Sequence, residues 1–106
     1  MVCAELETVL RGMHERKKPI GAICISPAIL ALAFKDVPLE LTLGPAGEAA
    51  AEVEKLGHKH FPCKAQECHV DARNRVVTAP AYMTTQPLHE IFTGIQKLVT
   101  EVVKLA

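Results

Sequence analysis

Cys24 is the residue of this chain best placed to do chemistry. It closes the apolar run Ile20-Gly21-Ala22-Ile23 and is followed by Ile25-Ser26-Pro27. A strand that turns sharply into a helix can present a Ser or Cys at the tip of the turn, the arrangement known as a nucleophile elbow. The residues two before and two after the tip must be small, because the backbone doubles back on itself there. Here they are Ala22 and Ser26. The start of a helix favours a thiolate over a thiol, and the backbone N–H of Ile25 is placed to hold an oxyanion. On residue types alone the competing reading is a small buried core thiol, since free cysteine often packs that way.

A nucleophilic cysteine needs a base within reach, and the chain has five histidines. His14 falls on the polar side of the first predicted helix and His89 in the first turn of the last, so both read as surface residues. His58, His60 and His69 remain open on spacing alone. With Cys63 and Cys68 they also invite a metal reading. Structural zinc prefers C-x2-C or H-x3-H clips, which place two ligands on one turn. The pattern here is H-x-H followed by C-x4-C across a proline, so no metal is expected. Gly44-Pro45-Ala46-Gly47 precedes a helix but lacks the lysine and the glycine spacing of a phosphate cradle. It reads as a plain loop, and no cofactor is expected.

The elements that must position these residues follow from periodicity. Leu6, Val9, Leu10 and Met13 recur at helical spacing, with acids early, bases late and Pro19 as the stop. Ile20 to Cys24, apolar throughout, reads as a parallel strand covered on both faces. Ser26 and Pro27 read as N-cap and N1 of a helix running to about Phe34. Leu39 to Leu43 alternates strictly and predicts a half-buried strand. Ala49 to Leu56 predicts a helix with Gly57 as its C′ stop. His60-Phe61 reads as a short strand, and Glu67–Val70 with Arg75–Thr78 as a hairpin. Leu88, Ile91, Phe92, Ile95, Leu98, Val99, Val102 and Val103 predict a final helix with one apolar stripe.

Composition narrows the function. The 106 residues leave room for one domain, 1–106. Hydrophobic residues make up 49% against 23% charged, which supports a core rather than disorder. Twelve Lys and Arg balance twelve Asp and Glu, and tryptophan is absent, so neither a nucleic acid nor an anionic membrane is an expected partner. The longest apolar run is broken by Ser26 and Pro27, short of a membrane span. Four cysteines without a dense framework point to a reducing compartment.

The segment Lys18-Pro19-Ile20-Gly21-Ala22-Ile23-Cys24-Ile25-Ser26-Pro27 resembles the elbow strand of the ElbB-like family of amidotransferase-like proteins. The resemblance continues through Leu41-Thr42-Leu43-Gly44, Leu56-Gly57 with His60, and Val70-Asp71, and is densest from Asn74 to Met83. It ends in Gly94-Ile95 and Leu98-Val99. The wider superfamily includes class I glutamine amidotransferases, PfpI-type proteases and the parkinsonism-associated deglycase. The resemblance implies a flavodoxin-like three-layer α/β sandwich with a mostly parallel sheet, incomplete because the family's N-terminal half has no counterpart here. It also implies Cys24 as nucleophile, the Ile25 N–H as oxyanion donor and His60 as general base, acting on small reactive carbonyls. Amidotransferase elbows carry Gly on both sides of the cysteine and PfpI-type ones a following His; Ala22, Ser26 and Ile25 depart from both, so the resemblance does not extend to glutaminase chemistry. The alternative is a non-catalytic redox-sensing or interaction domain. The resemblance implies a mitochondrial location, with the cytoplasm as the alternative. An apolar strand with an open edge implies a homodimer or another association through the sheet.

Overall fold

The first helix, α1 (Ala4–Glu15), carries Glu5 and Glu7 in its first turn and His14 in its last, in line with the helix dipole. It ends in a Schellman turn: the Lys17 N–H donates to the His14 carbonyl and the Lys18 N–H to that of Met13, with Lys17 at φ 59°. Pro19 prevents any continuation. These features belong to a computed structural model that describes residues 3–45, 47–84 and 86–106.

Strand β1 (Ile20–Ile23) follows and leads into α2 (Ser26–Ala33). Next come β2 (Glu40–Leu41), α3 (Glu48–Lys55), β3 (Lys59–His60), β4 (His69–Asp71) and β5 (Val76–Ala79). A 3-10 turn, Ala81–Met83, precedes α4 (Leu88–Leu105). One sheet has the order β1-β5-β4, with β1 parallel and β4 antiparallel to β5; the other pairs β2 with β3 in parallel. Register sets Ile20 beside Val76 and Ile23 beside Ala79.

Composition predicts cover on both faces of β1, but only one face is fully buried; on the other Gly21 is exposed and Ile23 half-buried. Ile20 and Ala22 enter the main core with Leu30, Ala31 and Phe34 of the α2 segment. Gly21 faces α4 instead, where a Cβ would meet Leu98 and Val102 at 3.0 Å. Helices therefore lie on both sides of the sheet, the layering of a flavodoxin-like α/β sandwich.

Several boundaries differ from the sequence reading. The N-cap of α2 is Ile25 and Pro27 stands at N2, because the turn at Cys24 already brings Ile25 into helical conformation. Leu39 to Leu43 is not half-buried: only Glu40 and Leu41 pair as a strand, and Leu39, Leu41, Thr42 and Leu43 are all buried. Thr42 tolerates burial because its N–H donates to the Thr78 hydroxyl and its own hydroxyl accepts from the Gly44 N–H. The stripe on α4 divides in two: Ile91 and Leu98 are buried, whereas Leu88, Phe92, Val99 and Val103 are exposed. Gly57, at φ 97°, does terminate α3, with its N–H on the Glu54 carbonyl and that of His58 on the Val53 carbonyl.

Candidate functional site

β1 ends where the Cys24 N–H donates to the Ala79 carbonyl at 3.0 Å, the last rung of the parallel ladder. The chain then reverses, and Cys24 takes φ 62°, a left-handed value that costs a residue with a Cβ. Ile25 turns helical and α2 begins one residue later. The small residues Ala22 and Ser26 flank this reversal, as the sequence requires. Strained backbone of this kind concentrates at functional sites, and the carboxyl ends of parallel strands are where open α/β sheets bind ligands.

The neighbouring strand ends in the same way. After β5, Pro80 is followed by Ala81 at φ 47°, and the buried Ala81 belongs to one apolar cluster with Ala65 and Ile91, against which Cys24, Ile23 and Ile95 pack. Cys24 is thus half-buried in apolar surroundings, next to the exposed Ile25. The ends of β2 and β3 reach this same edge. Gly44, at φ 95°, lies against Pro80 and Met83, and its carbonyl accepts from the Cys63 N–H. A cleft of about 230 Å³ opens there between Pro45, Cys63, Lys64, Met83, Thr84 and Gln86. Cys24 does not line it.

The histidines have other work. His60 is buried, and its Nε2 accepts the Leu43 N–H at 3.0 Å. Burial holds its pKa below the ordinary histidine value, with a smaller opposing pull from Glu54. The lone pair a general base would use is therefore committed to the backbone, and no hydrogen bond joins His60 to Cys24 among the described residues. His58 spans the layers, accepting the Leu39 N–H at Nδ1 and donating from Nε2 to the Ala31 carbonyl. His69 stacks on Phe61 at 4.1 Å and meets Glu40 at 2.8 Å. His14, read as solvated, is half-buried against Phe34 and hydrogen-bonded to Asn74, because α1 turns that side inward. His89 is exposed.

Cys63 and Cys68 are both half-buried, and burial pushes both thiols up. Among the described residues no group of three or more His, Cys, Asp or Glu side chains is placed to hold a metal ion. In the Gly44–Gly47 loop the Gly44 N–H is consumed by Thr42, and Ala46 lies outside the described residues.

One hub escapes the sequence reading. The buried Asp71 accepts from the Glu40 N–H, the Asn74 N–H and the Asn74 side chain, tying β2 to the β4–β5 turn. The Asp-x-x-Asn spacing signals the turn, but nothing local signals the bond to Glu40, 31 residues away.

No family model matches the chain. It is 41% identical over 110 residues to the ES1 protein homolog, mitochondrial, of Rattus norvegicus, covering 95% of this chain and 41% of that one. It is 38% identical over 110 residues to the human glutamine amidotransferase-like class 1 domain-containing protein 3, mitochondrial, covering 95% of this chain and 40% of that one. A crystal structure of an isoprenoid biosynthesis protein with amidotransferase-like domain from Ehrlichia chaffeensis superposes with a TM-score of 0.88 at 31% identity, over 95% of this chain and 47% of that one. The chain spans about two-fifths of the length of these curated relatives.

Proposed function

Because the chain belongs to the glutamine amidotransferase-like class 1 domain family, we propose that Cys24 is a nucleophile acting on small reactive carbonyls, in the manner of a glyoxalase or deglycase. The observation that carries this reading is the left-handed backbone of Cys24 at the β1–α2 turn. A core cysteine gains nothing from such a conformation, whereas an elbow needs it to lift the thiol clear of strand and helix. On an α-oxoaldehyde, the Cys24 thiolate adds to the aldehyde carbon, forming a C–S bond while the carbonyl π pair moves to oxygen. The Ile25 N–H stabilises that oxyanion, which takes a proton from water to give a hemithioacetal. Through an enediol, the proton on the first carbon moves to the second and the hydroxyl proton moves from the first oxygen to the second, which yields the thioester of a 2-hydroxy acid. Water then breaks the C–S bond, releasing a 2-hydroxy acid and restoring the thiol, so that oxoaldehyde plus water gives 2-hydroxy acid. The location proposed for the chain is mitochondrial, after its relatives.

A second reading has its own observation. His60 is tied to Leu43 and so offers Cys24 no base; a thiol without a base suits a redox-sensing domain that is oxidised rather than one that turns over substrate. Methylglyoxal consumption and lactate formation by the purified protein decide between them. The nucleophile reading expects turnover that falls by roughly a hundredfold or more in Cys24→Ala. No turnover, together with selective peroxide oxidation of Cys24, selects the second.

A further inference from the structure

The chain is neutral as a whole, but its charges are not evenly spread. Five of its twelve Lys and Arg stand in two short segments, Arg16-Lys17-Lys18 and Arg73 with Arg75. The first segment joins α1 to β1 and the second joins β4 to β5, so both lie at the amino ends of the parallel strands β1 and β5. The Ile20 N–H ties them together by donating to the Arg75 carbonyl at 2.9 Å. A cleft of about 590 Å³ opens there, lined by Lys17, Arg73, Arg75, His14, Asn74 and Glu15. Among the described residues none of the five cations belongs to an ion pair.

Basic residues at a helix C-terminus ordinarily serve the helix dipole, but that does not account for this group. The last carbonyls of α1 are taken by backbone: the N–H groups of Arg16, Lys17 and Lys18 donate to Gly12, His14 and Met13. Arg75 does cap α4, donating from Nη1 to the Leu105 carbonyl at 2.6 Å, which uses one of the five guanidinium N–H groups. Arg73 belongs to no helix at all.

The walls of the cleft are held in place. Asn74 donates from its N–H and its Nδ2 to Asp71 and from Nδ2 to the Pro38 carbonyl, while its Oδ1 meets His14 at 3.3 Å. Arg73 and Arg75 therefore flank a fixed residue. Lys17 and Arg75 both hold left-handed backbone, at φ 59° and 57°, where glycine would sit without strain. Among the described residues the non-glycine residues at such angles form one pair at each end of the β1–β5 ladder: Cys24 with Ala81, and Lys17 with Arg75. The pair at this end is cationic, and strained backbone concentrates at functional sites.

We propose that this cleft binds a dianionic phosphate group, free or as the monoester of a small polar molecule. Lys17, Arg73 and Arg75 outnumber the one carboxylate in the lining, Glu15, by two charges, and a phosphate monoester carries close to two negative charges at neutral pH. A guanidinium fork matches phosphate oxygens in geometry, and Lys17 adds a mobile point charge. A cleft of this volume takes a phosphate together with a body about the size of a sugar. Glu15 can accept a hydroxyl of that body. The site lies at the opposite end of β1 from Cys24, so its occupation and the Cys24 chemistry are separate matters.

The test is calorimetric titration of the purified chain in about 0.1 M chloride, which screens loose association. Inorganic phosphate and ribose 5-phosphate should each bind one to one with a Kd of about 1 mM or tighter, and ribose should not bind. In the native chain the amide resonances of Lys17, Arg73 and Arg75 should move on titration. Arg73→Ala, at an exposed turn position, and Lys17→Gly, which keeps the left-handed turn, should each weaken binding at least about fivefold and leave the circular dichroism unchanged. Lys35→Ala, an exposed cation elsewhere, should leave binding as it is. Glu15→Gln should tighten inorganic phosphate by about twofold or more. Tighter binding of the ester than of phosphate supports the proposal with a phosphorylated small molecule as ligand; equal binding supports it with free phosphate. No saturable binding of either anion overturns the proposal, and so does binding that Lys35→Ala weakens as much as Arg73→Ala. Resonance shifts confined to residues away from the cleft overturn it whatever the variants do.

Discussion

Cys24 and Ala81 hold left-handed backbone at the carboxyl ends of two adjacent parallel strands, at φ 62° and 47°. They are linked through the Cys24 N–H, which donates to the Ala79 carbonyl. Each follows the last residue of its strand by one or two positions, and both side chains meet in one apolar cluster. Two costly conformations side by side are held by the packing around them: the buried Pro80 fixes the approach to Ala81, and α2 fixes the exit from Cys24.

That strain is measurable. Left-handed backbone costs a residue with a Cβ about 1–2 kcal/mol, and glycine is free of that cost. Cys24→Gly should therefore be more stable than Cys24→Ala by about 1 kcal/mol in urea melts, after the added freedom of glycine in the unfolded chain is subtracted. Both variants should lose thiol chemistry alike. A glycine variant clearly less stable than the alanine one would show that the turn stores no strain.

Gly94 is a steric requirement of a different kind. It lies in α4, where glycine is otherwise unfavourable, and a Cβ there would overlap the backbone carbonyl of Ala65. Helix propensity alone predicts that Gly94→Ala stabilises. We expect the reverse, a loss of about 1–3 kcal/mol as the 63–67 loop is pushed off the helix. Thermal melting of Gly94→Ala beside Gly12→Ala is the check, since Gly12 has open space around it.

Much of this arrangement is legible in residue patterns. β1, the tight strand-to-helix turn at Cys24 between Ala22 and Ser26, the Gly57 stop and the β4–β5 hairpin all rest on local rules that the packing does not override. The reading fails where a residue answers to something distant in the chain. Thr42 reads as the solvent side of an alternating strand, yet the Thr78 hydroxyl, 36 residues on, takes up its N–H and lets it be buried. His60 reads as a free base, yet Leu43 occupies its ring nitrogen. The apolar residues of α4 read as one stripe because periodicity reports which residues are apolar and not what covers them. Phe92 and Val103 are exposed on a flank that the sheet of this chain does not reach.

The four cysteines should separate by reactivity. Burial raises the thiols of Cys63 and Cys68, with Glu67 and Glu101 adding to the effect, so each carries little thiolate at neutral pH. Cys24 sits at a turn beside the exposed Ile25 and the start of α2. Iodoacetamide at neutral pH should alkylate Cys24 well before Cys63 and Cys68, read by peptide mass spectrometry on the native protein. Cys3, which is exposed, serves as the reference for an accessible thiol. Labelling of Cys24 only after denaturation would make it a core residue, and the nucleophile reading would fall with it.

His60 ties stability to pH through the bond that removes it from catalysis. Its folded pKa lies below the ordinary value because burial penalises the imidazolium. The unfolded chain therefore takes up the proton first as pH falls. Between the unfolded value, about 6.5, and the lower folded value, the unfolded state binds more protons than the native one. Stability must then rise with pH across that window, level off above it, and lose this contribution below it. Protonation also removes the acceptor for the Leu43 N–H, which is buried and has no water to turn to. Urea midpoints should fall from pH 7.5 to pH 5, with the steepest change just below pH 6.5. His60→Gln, which can still offer a side-chain oxygen to Leu43, should flatten that slope while costing about 1–2 kcal/mol at pH 7.5. His89→Gln, changed at an exposed position, should leave the slope as it is. A slope that survives in His60→Gln would assign the pH dependence to another group.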